Sequence, residues 1–403
     1  MRIGLFTESY DPVINGVSTS VKTLATELRE LQHEPVVIAP GFPGFFDEEE
    51  ERIEVRRLPS WHTAFNHGNP FAYPPVGPTP SALRKISLDV VHTHQPFGIG
   101  LHGKRIARKL NVPLVSTFHT LYTEYVHYFP FAPRAVSVAV LERFLRRYHH
   151  NCDAVIVPSR EVSRRLERIG ISKKRLFVVP TGVPDPPTVT PEQVDRIRDK
   201  YSLPVGAPVV LYVGRLAKEK NLFLLIDAFA EISRQFPENE KHPILLLVGS
   251  GPFQEECELR VEAAGIEQWV RFTGFVRRER LDPFYRASTL FAFPSSTETQ
   301  GVVLSEAQTH GLPCLVVEGG GASEFVRHGV DALVVPPTLR TFSRSLLDLL
   351  NDAELRRKFA VAALKSPLRP TPRDMAQRVV EVYEAAREYM PKNRSRLFLM
   401  EKA

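Results

Sequence analysis

A chain of 403 residues exceeds what one hydrophobic core usually holds, so two domains are expected. With 43% hydrophobic and 24% charged residues the composition is that of a soluble globular protein, and no apolar run reaches the ~18 residues of a spanning helix. The N-terminus, MRIGLFTES, turns polar at Thr7-Glu8, too early for a signal-peptide core, and Cys152, Cys257 and Cys314 lack metal or redox spacing, which fits a reducing cytosol. The net charge of +6 is uneven: Lys104 to Arg175 carries 15 Lys and Arg against 5 Asp and Glu, so the rest is slightly acidic. Such a patch suits an anionic membrane surface or nucleic acid, with a merely solvated face as the alternative.

In chain order, strands are expected at Ile3–Phe6, Val36–Ala39, Ile53–Leu58, Val90–His92, Leu114–Phe118, Ala154–Val157 and Phe177–Val179. Between the first two, Val21, Leu24, Leu28 and Leu31 form one helical stripe. This alternation predicts a doubly wound parallel sheet with helices on both faces, whose ligands sit beyond the carboxyl ends of the strands. Asn15-Gly16-Val17 follows the first strand, and Gly16 would let backbone amides approach a phosphate. His119 ends the run PLVSTFH at the same edge, placed to contact a sugar hydroxyl or move a proton, or simply to be a satisfied structural histidine. His92 and His94 have strand spacing and could face one ligand; no acidic or cysteine partner is spaced to complete a metal site with them.

The segment GVPDPPTVTPEQ after Thr181 reads as a linker, and the pattern then restarts with strands at Val209–Val213, Ile244–Val248, Val270–Phe272, Leu290–Phe293, Leu315–Val317 and Ala332–Val335. The expected domains are residues 1–180 and 181–374, with a last helical pattern from Met375 to Tyr389. Gly249-Ser250-Gly251 lacks the third glycine of a dinucleotide fingerprint, no GxxxxGK[ST] loop is present, and no Asp-x-Asp pair exists for a metal-chelated sugar nucleotide.

The chemistry concentrates in two stretches of the second half. In LFAFPSSTETQGVVLSEAQTHG a strand closes at Pro294, a polar loop carries Glu298, and a helix beginning at Val302-Val303-Leu304 carries Glu306. Backbone amides near Gly301 to Leu304 would favour an anion. Two glutamates beside an anion make sense if they accept hydrogen bonds from hydroxyls flanking a diphosphate; otherwise they are acids favoured by the helix macrodipole. In GRLAKEKN, Arg215 and Lys220 follow a strand directly, a guanidinium fork and an ammonium point charge suited to that diphosphate.

The E-x7-E spacing from Glu298 to Glu306, GRLAKEKN, Asn15-Gly16-Val17 and His119 in FHT together resemble the retaining glycosyltransferases of family 4, from Arg2 to about Tyr389. The resemblance implies the GT-B architecture: two Rossmann-like domains with parallel sheets facing a cleft, the last helix, about 375–403, completing the first domain. It implies that Arg215 and Lys220 hold the donor diphosphate, and that Glu306 takes the ribose and Glu298 the sugar. Gly301, Val302, Val303 and Leu304 would line sugar and phosphates, Gly16 would meet the distal phosphate, and His119 would contact the sugar near the reaction centre. It further implies retention of configuration, a nucleotide-diphosphate sugar (a UDP-sugar favoured) as co-substrate, and neither metal nor other cofactor. One departure is Ile14-Asn15-Gly16 where the family usually has two glycines.

The run FHTLYTEYVHYFP and the amphipathic pattern around Val136–Tyr148 look like the glucosyl-diacylglycerol synthases of that family. Tyr122, Tyr125, Tyr128 and Phe129 beside Arg143, Arg146 and Arg147 suit the interface of an anionic bilayer, the alternative being core aromatics and solvated arginines. The expectation is thus a cytoplasmic hexosyltransferase, peripheral at the inner face of the cell membrane, acting on a lipid such as diacylglycerol, with no nucleic-acid partner. The same chemistry on a soluble sugar or polyol, and a non-catalytic nucleotide-sugar or nucleic-acid binder, are the alternatives; no oligomeric state is assigned.

Overall fold

The computed structural model describes residues 1–45, 53–61, 71–72, 83, 85–124, 133–237 and 241–390. It separates into two compact units, one formed by residues 1–182 with 370–403 and the other by residues 183–369.

The first unit begins with β1 (Arg2–Phe6), α1 (Gly16–Glu30), β2 (Glu34–Pro40), β3 (Glu54–Leu58), β4 (Ser60–Trp61) and β5 (Phe71–Ala72). It continues with β6 (Val90–Thr93), α2 (Gly98–Leu110), β7 (Leu114–Thr117), α3 (Arg134–His150), β8 (Ala154–Val157), α4 (Arg160–Arg168) and β9 (Leu176–Val178). Seven strands form one parallel sheet in the order β3-β2-β1-β6-β7-β8-β9, with β4 and β5 a separate antiparallel pair. The period of two along each strand divides the core. Leu5, Val37, Val90 and Val115 face one side with Val21, Leu24 and Leu28 of α1, while Phe6, Ile38, Val91 and Val155 face the other with Ile99 and Ile106 of α2, Leu145 of α3 and Val162 of α4.

The second unit runs α5 (Pro191–Lys200), β10 (Val209–Val213), α6 (Leu222–Ser233), β11 (Ile244–Val248), α7 (Gln254–Ala264), β12 (Val270–Phe272) and α8 (Asp282–Ala287). It ends with β13 (Leu290–Phe293), α9 (Val302–Thr309), β14 (Cys314–Val317), β15 (Ala332–Val335), α10 (Leu339–Asn351) and α11 (Ala353–Leu364). Its six strands are parallel in the order β12-β11-β10-β13-β14-β15. Both strand faces are covered, so VVLYV, ILLLV and LFAF are apolar throughout rather than alternating, and every residue in them is buried.

The chain then returns to the first unit as α12 (Pro372–Tyr389), capped by Thr371 and Asp374 and started by Pro372. Met375, Val379, Val382 and Tyr383 on its buried stripe join the core beneath α1 and β8. In each sheet the strand order reverses once, between β1 and β6 and between β10 and β13. Diverging crossover connections leave a crevice at such a point, outside the carboxyl ends of the strands.

Candidate active site

At the reversal in the second unit, β10 ends at Val213 and Arg215 stands exposed two residues on, while Glu298 lies in the loop after β13. The loop bearing Arg215 is fixed from behind: Gly214 N–H donates to Val248 O and Leu216 N–H to Ser250 O, each at 3.0 Å, and the buried Tyr212 hydroxyl donates to Arg215 O at 3.1 Å. Only glycine permits this approach at Gly251, where a Cβ would fall 2.1 Å from Leu216 O. Gly249-Ser250-Gly251 therefore holds backbone against backbone.

Three links tie the GRLAKEKN loop to the Pro294–Glu298 loop. Thr297 Oγ1 donates to Glu219 O at 2.9 Å, Asn221 Nδ2 donates to Pro294 O at 3.3 Å, and Lys220 Nζ pairs with Glu298 Oε1. Asn221 adopts φ +55°, a left-handed conformation that turns the chain into α6. From the other side Gly321 N–H donates to Glu298 O at 2.8 Å, so the Gly319-Gly320-Gly321 run after β14 clasps the same loop. Lys220 and Glu298 neutralise each other, and an anion arriving there competes with the carboxylate for the ammonium.

Glu306, on the second turn of α9, is held at both oxygens: Arg278 Nη2 lies 2.7 Å from Oε1 and the Tyr285 hydroxyl donates to Oε2 at 2.9 Å. Tyr285 is buried, and burial together with the neighbouring Glu306 charge pushes its phenol well above the ordinary value, so it stays a donor. Its ring stacks on His310, centroids 5.1 Å apart, and His310 Nε2 meets Asp282 Oδ1 at 2.9 Å. A carboxylate offers about four lone-pair positions, so two held oxygens still leave room for two hydroxyls. A cavity of about 290 Å³ opens beside Glu306, lined by Pro184, Pro186, Arg278, Leu281 and Tyr285.

At the reversal in the first unit a chain of histidines lies across the carboxyl edge. His92 Nδ1 is 2.8 Å from the Tyr383 hydroxyl and its Nε2 is 2.7 Å from Thr117 Oγ1. His94 Nδ1 is 2.9 Å from His119 Nε2. Burial lowers all three pKa values, His92 to about 3 and His119 to about 4, and the neighbouring imidazoles add to the effect at His92 and His94. The three rings are neutral at pH 7, so His119 acts as a neutral hydrogen-bonding group rather than an imidazolium.

Two family models divide the chain: Glycosyltransferase Family 4 matches residues 14–185 and Glycosyl transferases group 1 matches residues 193–366. The alpha-monoglucosyldiacylglycerol synthase of Acholeplasma laidlawii is 31% identical over 343 residues, covering 83% of this chain and 84% of that protein. This chain belongs to glycosyltransferase family 4. A GDP-mannose-dependent alpha-mannosyltransferase of Mycobacterium tuberculosis is 28% identical over 96% of this chain and 97% of its own length. The crystal structure of Anabaena HepE in complex with UDP and glucose superposes with a TM-score of 0.73 at 20% identity, over 96% of this chain and 100% of that one, which gives the fold as GT-B.

In this glycosyltransferase the structure gives the surroundings of the other residues singled out in the sequence. Leu304 is fully buried in the core, and its amide donates to Gly301 O at 2.9 Å, so it presents nothing to a ligand. Gly301 (φ +74°) begins α9, with Val302 and Val303 half-buried behind it. At α1 the Asn15 side chain already accepts from Val17 N–H and Ser18 N–H, both at 2.9 Å, which leaves less of that helix end for a phosphate than Gly16 suggested. A Cβ on Gly16 would touch nothing within 4 Å, so packing alone does not require glycine there. His92 and His94 are buried and face the protein rather than a shared ligand.

Tyr122 packs edge-on against Phe97 and Phe118, at 5.1 and 5.8 Å between centroids, and belongs to the core margin rather than to an outward aromatic belt. Tyr125, Tyr128 and Phe129 lie outside the described residues. Arg143, Arg146 and Arg147 are exposed on α3, which also exposes Val136 (53%) and Val140 (64%) one turn apart. Arg278, Tyr285 and the Gly319–Gly321 run were not singled out in the sequence. Arg278 sits in a basic run, RRER, that reads as solvated surface, and the glycines form an unbroken triplet after an apolar strand.

Proposed function

We propose that this enzyme is a retaining, metal-independent hexosyltransferase that moves a hexose from a nucleoside diphosphate sugar, UDP-linked by preference, to the hydroxyl of a lipid such as diacylglycerol at an anionic membrane surface. The observation that carries the donor reading is the pairing of each carboxylate of the E-x7-E motif with a cation at one sheet edge, Glu298 with Lys220 and Glu306 with Arg278. In the proposed reaction the bond from the anomeric carbon to the diphosphate oxygen breaks and a bond to the acceptor hydroxyl oxygen forms on the same face. The acceptor's proton passes to the departing phosphate. Arg215 and Lys220 stabilise the charge that grows on that leaving group, a contribution of roughly 10²–10³ in rate for one well-placed donor. Glu306 takes the ribose hydroxyls, Glu298 a hydroxyl of the sugar once Lys220 turns to phosphate, and neutral His119 a further oxygen of the sugar.

The lipid reading is supported by the similarity to the diacylglycerol-acting relative and by α3, where exposed valines adjoin Arg143, Arg146 and Arg147. Apolar side chains entering the interface with arginines at the headgroups give such a helix its affinity, about 1 kcal/mol for each basic residue near the surface. Among the described residues no helix is long and apolar enough to cross a membrane. The attachment proposed is peripheral, at the cytoplasmic face. The test is a donor-by-acceptor screen: UDP-glucose, UDP-galactose, GDP-mannose and UDP-sulfoquinovose, each with diacylglycerol in anionic or neutral vesicles and with free sugars. Transfer to lipid that requires anionic vesicles is expected; transfer to soluble acceptors alone would overturn the lipid reading.

A further inference from the structure

Behind His119 lies a residue for which the reaction above has no use. His94 is buried, its Nδ1 faces His119 Nε2 at 2.9 Å, and its own Nε2 is buried without a hydrogen-bond partner. On its other side the His92 ring lies 4.2 Å away between centroids, and His92 is itself engaged by Tyr383 and Thr117. A protonated His94 would place a charge among two further imidazoles in a buried site, so both members of the His94–His119 pair are neutral and share one bridging proton.

The bridge has two solutions. If His119 donates from Nε2, the second nitrogen of His94 must carry a buried N–H with no acceptor. If His94 donates from Nδ1, its Nε2 is a bare nitrogen, and His119 carries its proton on Nδ1. Buried N–H donors left without an acceptor are rarer in native proteins than buried acceptors left bare. We propose that His94 is a positioning residue: its Nδ1–H donates to His119 Nε2 and thereby holds His119 as a neutral Nδ1–H donor toward the sugar of the donor substrate. The last clause rests on the function proposed above; the tautomer itself does not.

The experiment takes the full-length protein labelled with ¹⁵N-histidine, with the His119 signals identified by their loss in His119→Gln. His119 Nδ1 is expected to be the protonated nitrogen and Nε2 the bare one. His94→Leu should turn this into a mixture of tautomers. His94→Asn, whose amide nitrogen can donate from near the Nδ1 position, should preserve it. Protonation on Nε2, or a tautomer indifferent to His94→Leu, would overturn the proposal. In sugar transfer, His94→Leu should lower kcat by on the order of 100-fold with little change in donor KM, and His94→Asn should recover most of it. Equal losses in both variants would mean a packing role and would also overturn it. Absence of transfer by the wild-type protein with every donor would sink the proposed function, leaving the nitrogen spectra to decide the tautomer.

Discussion

Glu306 shows how much of a candidate site depends on the partners that hold a side chain in place. Its two oxygens are aimed by Arg278 and by a buried phenol, and neither partner is close to it in sequence. Removing the hydroxyl in Tyr285→Phe leaves one oxygen of Glu306 free to turn. A hydrogen bond to a charged group contributes about 1.5–3 kcal/mol to the folded protein, so the melting midpoint should fall by several degrees, and donor KM should rise about tenfold as Glu306 loses its orientation. An unchanged KM would show that Tyr285 does not orient Glu306. The buried histidines give a second residue-scale expectation, for stability against pH. Burial lowers His92 from 6.5 to about 3 and His149 from 6.5 to about 4. Below pH 6.5 the unfolded chain binds protons that the folded chain refuses, so their contribution is fully present above that pH and shrinks as pH falls toward 4. Each should cost about 1 kcal/mol between pH 7.5 and 5.5, read as a falling urea midpoint. A midpoint that rises on acidification would contradict the assignment.

Among the elements, α3 carries the acceptor proposal. Replacing Arg143, Arg146 and Arg147 by glutamate should abolish sedimentation with anionic vesicles and cut transfer to lipid at least tenfold, with the fold intact by circular dichroism. Val136→Asn with Val140→Asn should weaken vesicle binding while sparing the charge. If neither change alters binding, α3 is solvated surface. The strands themselves were legible because a parallel sheet covered on both faces leaves runs such as ILLLV and LFAF between turn residues, and the predicted bounds of β10, β11, β12, β13 and β15 coincide with those observed. The sequence left Tyr122 between two readings for the complementary reason. An aromatic beside arginines reads the same whether it faces lipid or Phe97, and only its neighbours in space decide.

On the scale of the whole molecule, the return of α12 makes the first unit discontinuous in sequence. Met375, Val379, Val382 and Tyr383 fill the face that α1 shares, so a chain stopped before Pro370 exposes that stripe and leaves His92 without Tyr383. Such a truncation should give insoluble or molten protein, whereas residues 183–369, whose core is their own, should show a cooperative melt. Cooperative unfolding of the truncated chain at the full-length midpoint would refute this.

The sequence by itself determined the two doubly wound sheets, because burial on both faces writes itself into local composition, and it marked Arg215, Lys220, Glu298 and Glu306, because each lies in the loop after a strand or in the first two turns of the helix that follows. Only the tertiary structure decided what those groups meet. Lys220 finds Glu298 across 78 positions and Tyr285 finds Glu306 across 21, while His94 and His119 pair across 25. Strand order brings these residues together, and strand order is set by how crossover helices pack on a twisted sheet, which no local run of residues records.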